Sequence, residues 1–275
     1  MRNEKIHLVG MRLGELDRPG TGQLMHPVLK LRFPICFWSL FLISHFSLLI
    51  LASLFLSVPA FAAPSSVTIS SGSSPCFPLA RLKYSGGGDW YTGPSMLPNL
   101  AKRLRADLGM NVCPAERVVE PLSGSLFETP VLFMTGHGRV SFSEEERVAL
   151  RDYLARGGLL FADDNYGLAE SFRAEMDTLF PRHPLRPLPS GHPVFCSHYR
   201  FPAGLPKIHQ HDGKPATAYG IELDGRIAVL FTYESDLGNG WEDAEVHGDP
   251  PALHESALRM GVNIFSWFFE GARAR

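Results

Sequence analysis

Five strings in this sequence concentrate the side chains able to do acid–base, metal or ligand chemistry. They are Ser85-Gly86-Gly87-Gly88-Asp89-Trp90-Tyr91, Gly136-His137-Gly138, Asp163-Asp164-Asn165-Tyr166-Gly167, Lys207-Ile208-His209-Gln210-His211-Asp212-Gly213, and the acidic run from Glu234 to Asp243. His137 lies between two glycines, which allow unusual backbone angles and close approach of a ligand. Asp163 and Asp164 are adjacent, so one can face a site while the other caps a following helix. Carboxylates at a strand end are costly to bury without partners. His137, Asp163 and Asp164 are therefore the candidate catalytic residues, an aspartate acting as base or ligand.

His209 and His211 project to the same side of an extended segment. With Asp212 they make a partial site for a divalent metal such as zinc or ferrous iron. Such a metal would activate water. The competing reading is a loop of surface histidines, because this spacing is common by chance. Asp89, Trp90, Tyr91, Tyr166, Lys207, Glu234, Asp236 and Trp241 are the candidate ligand-binding residues. The aromatics either stack on a sugar or planar ligand or act as lids that pack the loops together. The Gly86-Gly87-Gly88 run has neither GxGxxG spacing nor a following lysine, so it is not read as a nucleotide loop. Asp236, Glu242, Asp243 and Asp249 lack the spacing of an EF-hand loop.

These strings need elements to hold them. Leu79–Tyr84 reads as a strand, Ser95–Leu108 as a helix closed by Gly109, and Arg117–Glu120 as a short strand. Val131–Thr135 and Leu159–Ala162 are apolar runs of strand length. Between them Ser143-Glu144-Glu145-Glu146 is a capping box opening a helix to Arg156. A third helix is expected from Ala169 to Phe180. Tyr219–Leu223 and Ile227–Tyr233 flank Asp224-Gly225, a hairpin signal, and a terminal helix is expected over Pro250–Phe269. Apolar strands separated by amphipathic helices imply a doubly wound α/β fold with a mostly parallel sheet, extended by a late antiparallel hairpin. In such a sheet ligands bind beyond the carboxyl ends of the strands. Three parallel strands and the hairpin end in these strings, and that convergence argues for a site without relying on any one motif.

The chain has 275 residues with 45% hydrophobic and 20% charged, values of a globular protein. A net charge of −2 argues against a nucleic-acid binder. Phe33 to Ala80 contains no charged residue, and Ile35–Val58 is apolar enough to span a bilayer. Ala60 and Ala62 fit signal-peptidase cleavage after Ala62. The alternative is a retained anchor, and Met25 is a plausible start. Either way the remainder works outside the cytoplasm, touching the membrane only through this segment. Residues 1–62 thus read as extension plus signal or anchor, 63–78 as a serine-rich linker, and 79–270 as one α/β domain. The six basic and three acidic residues before the cut leave a net charge of −5 after it. Cys76, Cys113 and Cys196 remain, an odd number that leaves at least one free thiol or an intermolecular link.

The five strings, taken with Tyr84, Thr135, Phe161-Ala162, Gly204-Leu205-Pro206 and Tyr233, resemble the bacterial family called domain of unknown function 4159, over nearly all of residues 77–270. The resemblance implies an exported or membrane-attached protein with a flavodoxin-like fold of the class I glutamine-amidotransferase-like group. It implies no settled reaction. That group places a nucleophilic cysteine in a strand-to-helix turn, which here falls within Ala162–Asn165 and contains no cysteine. Gly136-His137-Gly138 stands where the group has its oxyanion glycines. Glutamine hydrolysis by a Cys-His-Glu triad is therefore not expected. Two readings remain. One is a polar strand-end site, hydrolytic with a bound divalent metal. The other is a non-catalytic domain that binds a ligand or a cell-envelope or membrane protein through its aromatic loops.

Overall fold

A computed structural model of the chain describes residues 76–273. The apolar segment 35–58, the cut after Ala62 and nearly all of the linker lie outside the described residues. Among the described residues no helix is long and apolar enough to cross a membrane.

The strands are β1 (Ala80–Leu82), β2 (Arg117–Val119), β3 (Val131–Gly136), β4 (Leu159–Asp164), β5 (Arg186–Pro187), β6 (Thr217–Leu223) and β7 (Arg226–Tyr233). They form one seven-stranded sheet in the order β2-β1-β3-β4-β7-β6-β5. The pairs from β2 through β7 are parallel, while β6 runs antiparallel to both β7 and β5. The helices are α1 (Met96–Leu108), α2 (Glu144–Ala155), α3 (Ala169–Leu179), the short α4 (Ala244–His247) and α5 (Pro251–Arg273).

Residue alternation in β3 and β4 explains the layering. Val131, Phe133, Leu159 and Phe161 pack with α1 and α5 through Leu97, Leu100, Met260 and Ile264. Leu132, Met134, Leu160 and Ala162 pack on the other face with α2 and α3 through Leu150, Leu154, Phe172 and Met176. A strand whose two faces are both covered must be apolar at every position, which is what these two runs show.

The local signals behave as their chemistry requires. Ser143 and Glu146 close a reciprocal capping box at the start of α2. Gly109 sits at φ 62° and ends α1. Asp224 and Gly225 both have positive φ, 50° and 74°, the turn that suits the twist of a two-residue hairpin.

Several boundaries differ from expectation. β1 spans only Ala80–Leu82, α3 stops at Leu179, and α5 continues to Arg273 because nothing after Phe269 breaks it. β4 runs on through Asp163 and Asp164, so the two acids belong to the strand and not to the loop after it. They pair with Thr135 and Gly136 of β3, whose backbone hydrogen bonds extend the ladder past the apolar run. The edge strand β5 had no recognisable pattern, being two residues long with a proline. Cys76 and Cys113 form a disulfide with Cα atoms 5.0 Å apart, and Cys196 is a free, exposed thiol.

Candidate ligand site at the strand ends

The carboxyl ends of β1, β3, β4 and β7 lie along one edge, because these strands are parallel. The segment that precedes β6 arrives at the same edge, since Thr217 pairs with Tyr233. All five polar strings therefore converge by topology.

The loop after β1 is fixed from below by Arg81, a buried arginine on β1. Its guanidinium donates to the carbonyls of Thr92 (2.7 Å) and Gly93 (3.0 Å) and pairs with Glu116 (2.9 Å). Sequence gave no hint of this, because a charged residue inside a short strand is normally assigned to its exposed face. The loop is also tied to β3. Gly88 donates to Arg139 O at 2.9 Å and Asp89 N to His137 O at 3.2 Å. The Asp89 carboxylate accepts the His137 backbone N–H and meets its Nδ1 at 2.9 Å. His137 is thus held through Nδ1, while Nε2 has no partner among the described residues and the side chain is half exposed. Gly136 makes this possible. It has φ 144°, and a Cβ there would collide with the Tyr84 hydroxyl, which donates to Thr135 O at 3.1 Å.

Asp163 and Asp164 point to opposite faces, as neighbours on a strand must. Asp163 is fully buried. Its carboxyl group bonds the Thr232 hydroxyl and accepts from Gly238 N at 2.8 Å. Burial, reinforced by the nearby charge of Asp236, raises its pKa to about 7. Both oxygens of Asp163 are thereby occupied, so it serves as a brace. It fastens β4 to β7 and to the loop beyond. Asp164 accepts from Leu168 N at 2.9 Å at the entry to α3, the capping role foreseen for one of the pair. Burial raises its pKa, partly offset by that N–H.

Beyond β4, Asn165 accepts from Asn239 Nδ2 at 2.6 Å. Tyr166 adopts φ 78°, is exposed, and stacks on the His211 ring at 4.8 Å. A Cβ on Gly167 would lie 3.6 Å from Gly138 N, so the loops after β3 and β4 abut.

The end of β7 is locked by charge. Glu234 accepts from Lys207 Nζ at 2.5 Å and from Asp212 N at 2.9 Å. Burial would raise its pKa, but Lys207 and that N–H hold it below the usual carboxylate range. Asp236 Oδ2 faces His209 Nδ1 at 3.0 Å and His211 Nε2 at 2.6 Å, while His209 Nε2 meets Asp249 at 2.9 Å. The bond from Asp236 raises the His209 pKa to about 9, with burial opposing and Asp249 adding to it. Glu234 and Asp236 both sit at positive φ, near 60°.

This arrangement corrects two expectations. His209 and His211 do share a side, but they share it toward Asp236. Asp212 turns its carboxylate to Tyr233 (3.4 Å) and Lys214 (3.6 Å), so it does not join them. Both nitrogens of His209 are taken by carboxylates, and the His209–His211–Asp212 set is not assembled. Among the described residues no group of three or more His, Cys, Asp or Glu is arranged to hold a metal ion. Trp241 is completely buried against Phe133 and Phe161, and its indole N–H donates to Ala257 O at 2.8 Å. It is a core residue and presents nothing to a ligand. Its place follows from a short 3-10 turn at Asn239–Trp241 that folds back over α5.

Of the remaining expected residues, Lys207 and Glu234 serve each other, Trp90 is half-buried beside Tyr91, and Tyr91 is exposed. Asn165, Asn239, Thr232 and Asp249 were missed. Their partners lie 40 to 74 positions away, so no local spacing could have shown them. In this loop cluster two polar atoms, Asp236 Oδ1 and Asn165 Nδ2, are buried with no hydrogen-bond partner among the described residues. Among the described residues no hydroxyl or thiol is hydrogen-bonded to His137, so the site has no activated side-chain nucleophile of the Ser-His or Cys-His kind.

Fold and site together define an α/β domain with a mostly parallel sheet whose strand-end loops build a polar, internally braced cluster. The chain matches over residues 78–269 the family described as domain of unknown function (DUF4159), and it belongs to that family. No curated protein matches it.

Proposed function

We propose that this protein is an exported, cell-envelope member of the family, doubly wound and flavodoxin-like in the manner of the class I glutamine-amidotransferase-like group, and that its strand-end loops bind a small polar ligand. One observation carries the ligand reading. Asp236 Oδ1 and Asn165 Nδ2, an acceptor and a donor, are both buried without partners in the same loop cluster. Each such atom costs about 1–3 kcal/mol unless something satisfies it. Tyr166, Glu234 and Asp236, all non-glycine, sit there in the left-handed region. Backbone strain of this kind gathers at sites where the surroundings enforce a geometry. A ligand with adjacent donor and acceptor groups, such as a hydroxyl-rich or amide-bearing molecule, suits the pair.

Export is supported by the apolar segment 35–58 and by the Cys76–Cys113 disulfide, a bond that persists outside reducing compartments. N-terminal sequencing of the protein from its host tests it. A start at or near Ala63 supports cleavage, and an intact apolar segment in the membrane fraction supports an anchor. Recovery of the reduced, uncleaved chain from the cytosol would overturn export.

The ligand reading is tested by thermal-shift screening of the full-length protein with monosaccharides, amino acids and small amides. A compound that raises Tm in the wild type, with the shift lost in Asp236→Asn, supports it. A screen in which every shift survives that change overturns it. A second reading, hydrolysis, is favoured by the Asp89–His137 pair, which leaves Nε2 available as a general base toward water. Turnover of the bound compound that disappears in His137→Ala, with binding retained, would establish it. Capture of an envelope protein through exposed Tyr91 is the outcome to pursue if no small ligand binds.

A further inference from the structure

A cleft of about 690 Å³ opens beside the Asp224–Gly225 turn, at the opposite end of β6 and β7 from the strand-end loops. Its size is within the roughly 300–1,000 Å³ of small-molecule sites. Its chemistry is opposite to that of the domain as a whole. Arg182, Arg186 and Arg226 line it against a single carboxylate, Glu222. Several arginines elsewhere are engaged: Arg103 with Asp107 and Glu255, Arg147 with Glu175, Arg156 with Asp152. The guanidinium groups of Arg182 and Arg186 have no partner among the described residues, and both side chains are exposed.

The neutral lining is also donor-rich. His192 accepts from Val194 N through Nδ1 (3.2 Å), which leaves its proton on Nε2. Trp267 meets the His192 ring edge-on at 5.4 Å and is only partly buried, and its indole N–H has no partner among the described residues. The residue belongs to the apolar stripe of α5 by spacing, yet it faces this cleft and not the centre of the core. Pro187 and Pro189 restrict the backbone of the wall that carries Arg186.

Guanidinium forks match the geometry of carboxylate and phosphate oxygens, and an indole face stacks on flat apolar groups. We propose that this cleft is a second ligand site, which takes an oxyanion, carboxylate or phosphate, carried on a flat apolar body. It does not depend on the strand-end reading.

The test is calorimetric titration of the full-length protein with phenyl phosphate, benzoate and neutral benzyl alcohol at two salt concentrations. The expected result is binding of one or both anions, weakened by salt, and none of the alcohol. Phenyl phosphate alone would identify a phosphate site, benzoate alone a carboxylate site. Arg182→Ala with Arg186→Ala should weaken binding by at least about tenfold, the loss of a charge-assisted contact. Trp267→Leu should weaken the aromatic anions but leave weak binding of inorganic phosphate or acetate unchanged. His137→Ala should have no effect. The proposal is overturned if neither anion binds, if the double arginine variant binds as well as the wild type, or if His137→Ala abolishes binding. Both arginines are exposed, so an unchanged melting curve will show that the variants are folded.

Discussion

Asp163→Asn should make the protein less sensitive to rising pH. The carboxyl group of Asp163 is fully buried, and its pKa is raised from an ordinary 3.8 to about 7. A group held above its unfolded pKa binds its proton more tightly in the folded state. The folded state is therefore favoured at low pH and loses that advantage as pH rises from about 4 to about 7. Each pKa unit corresponds to about 1.4 kcal/mol, and about two-thirds of the window lies between pH 5 and pH 8, where we expect Asp163 to remove about 2–3 kcal/mol of stability. Asparagine is close in shape to the protonated acid. It can accept from Gly238 N and donate to the Thr232 hydroxyl, which has Ala162 O within reach at 3.4 Å. The variant should match the wild type only below about pH 4, and its advantage should grow by about 2–3 kcal/mol between about pH 5 and about pH 8. Urea unfolding at the two pH values measures this, with equal slopes showing that the compactness of the states is unchanged. His209, also raised, contributes in the same direction at higher pH but is common to both proteins. Identical pH dependence in wild type and variant would refute the reasoning, because it would mean that Asp163 is not enclosed.

Other perturbations test separate parts of the account. Asp249→Asn should bring the His209 titration down from about 9 toward an ordinary histidine value, followed by NMR of the ring proton. Gly136→Ala puts a methyl group into the Tyr84 hydroxyl at a backbone angle alanine avoids, and should cost at least about 2 kcal/mol in denaturant melts. Trp241→Phe removes the bond to Ala257 O and should cost about 1–3 kcal/mol while leaving ligand-induced shifts in Tm intact, since the residue is in the core. Reducing the Cys76–Cys113 bond releases a loop of 37 positions and should lower stability by about 4 kcal/mol, read from melts with and without reductant.

Most of the frame was legible because its causes are local. Val131–Thr135 and Leu159–Ala162 are apolar at consecutive positions, and only a doubly covered strand uses such a run. Ser143 to Glu146 and Asp224-Gly225 specify a helix start and a turn by hydrogen bonds within four residues. The polar strings could be assigned to one edge because parallel strands present all their carboxyl ends together. Inside the strings, spacing misled. One of the two readings of His209 and His211 opens them toward a metal, and Asp236 fills that position. Trp241 was read as a loop aromatic, and a 3-10 turn buries it.

By itself the sequence determined the α/β alternation, the parallel strands, the hairpin and the edge of the sheet where polar loops gather. These depend on residue periodicity and on hydrogen bonds between near neighbours, which are written in order along the chain. Only the tertiary structure decided which of those polar residues face solvent. The bonds of Asp89 with His137, Asp163 with Thr232 and Asn239 with Asn165 span 48, 69 and 74 positions. Whether a carboxylate is a ligand contact or a buried brace depends on what the rest of the chain brings against it. That is set by packing of the whole sheet and has no local signature.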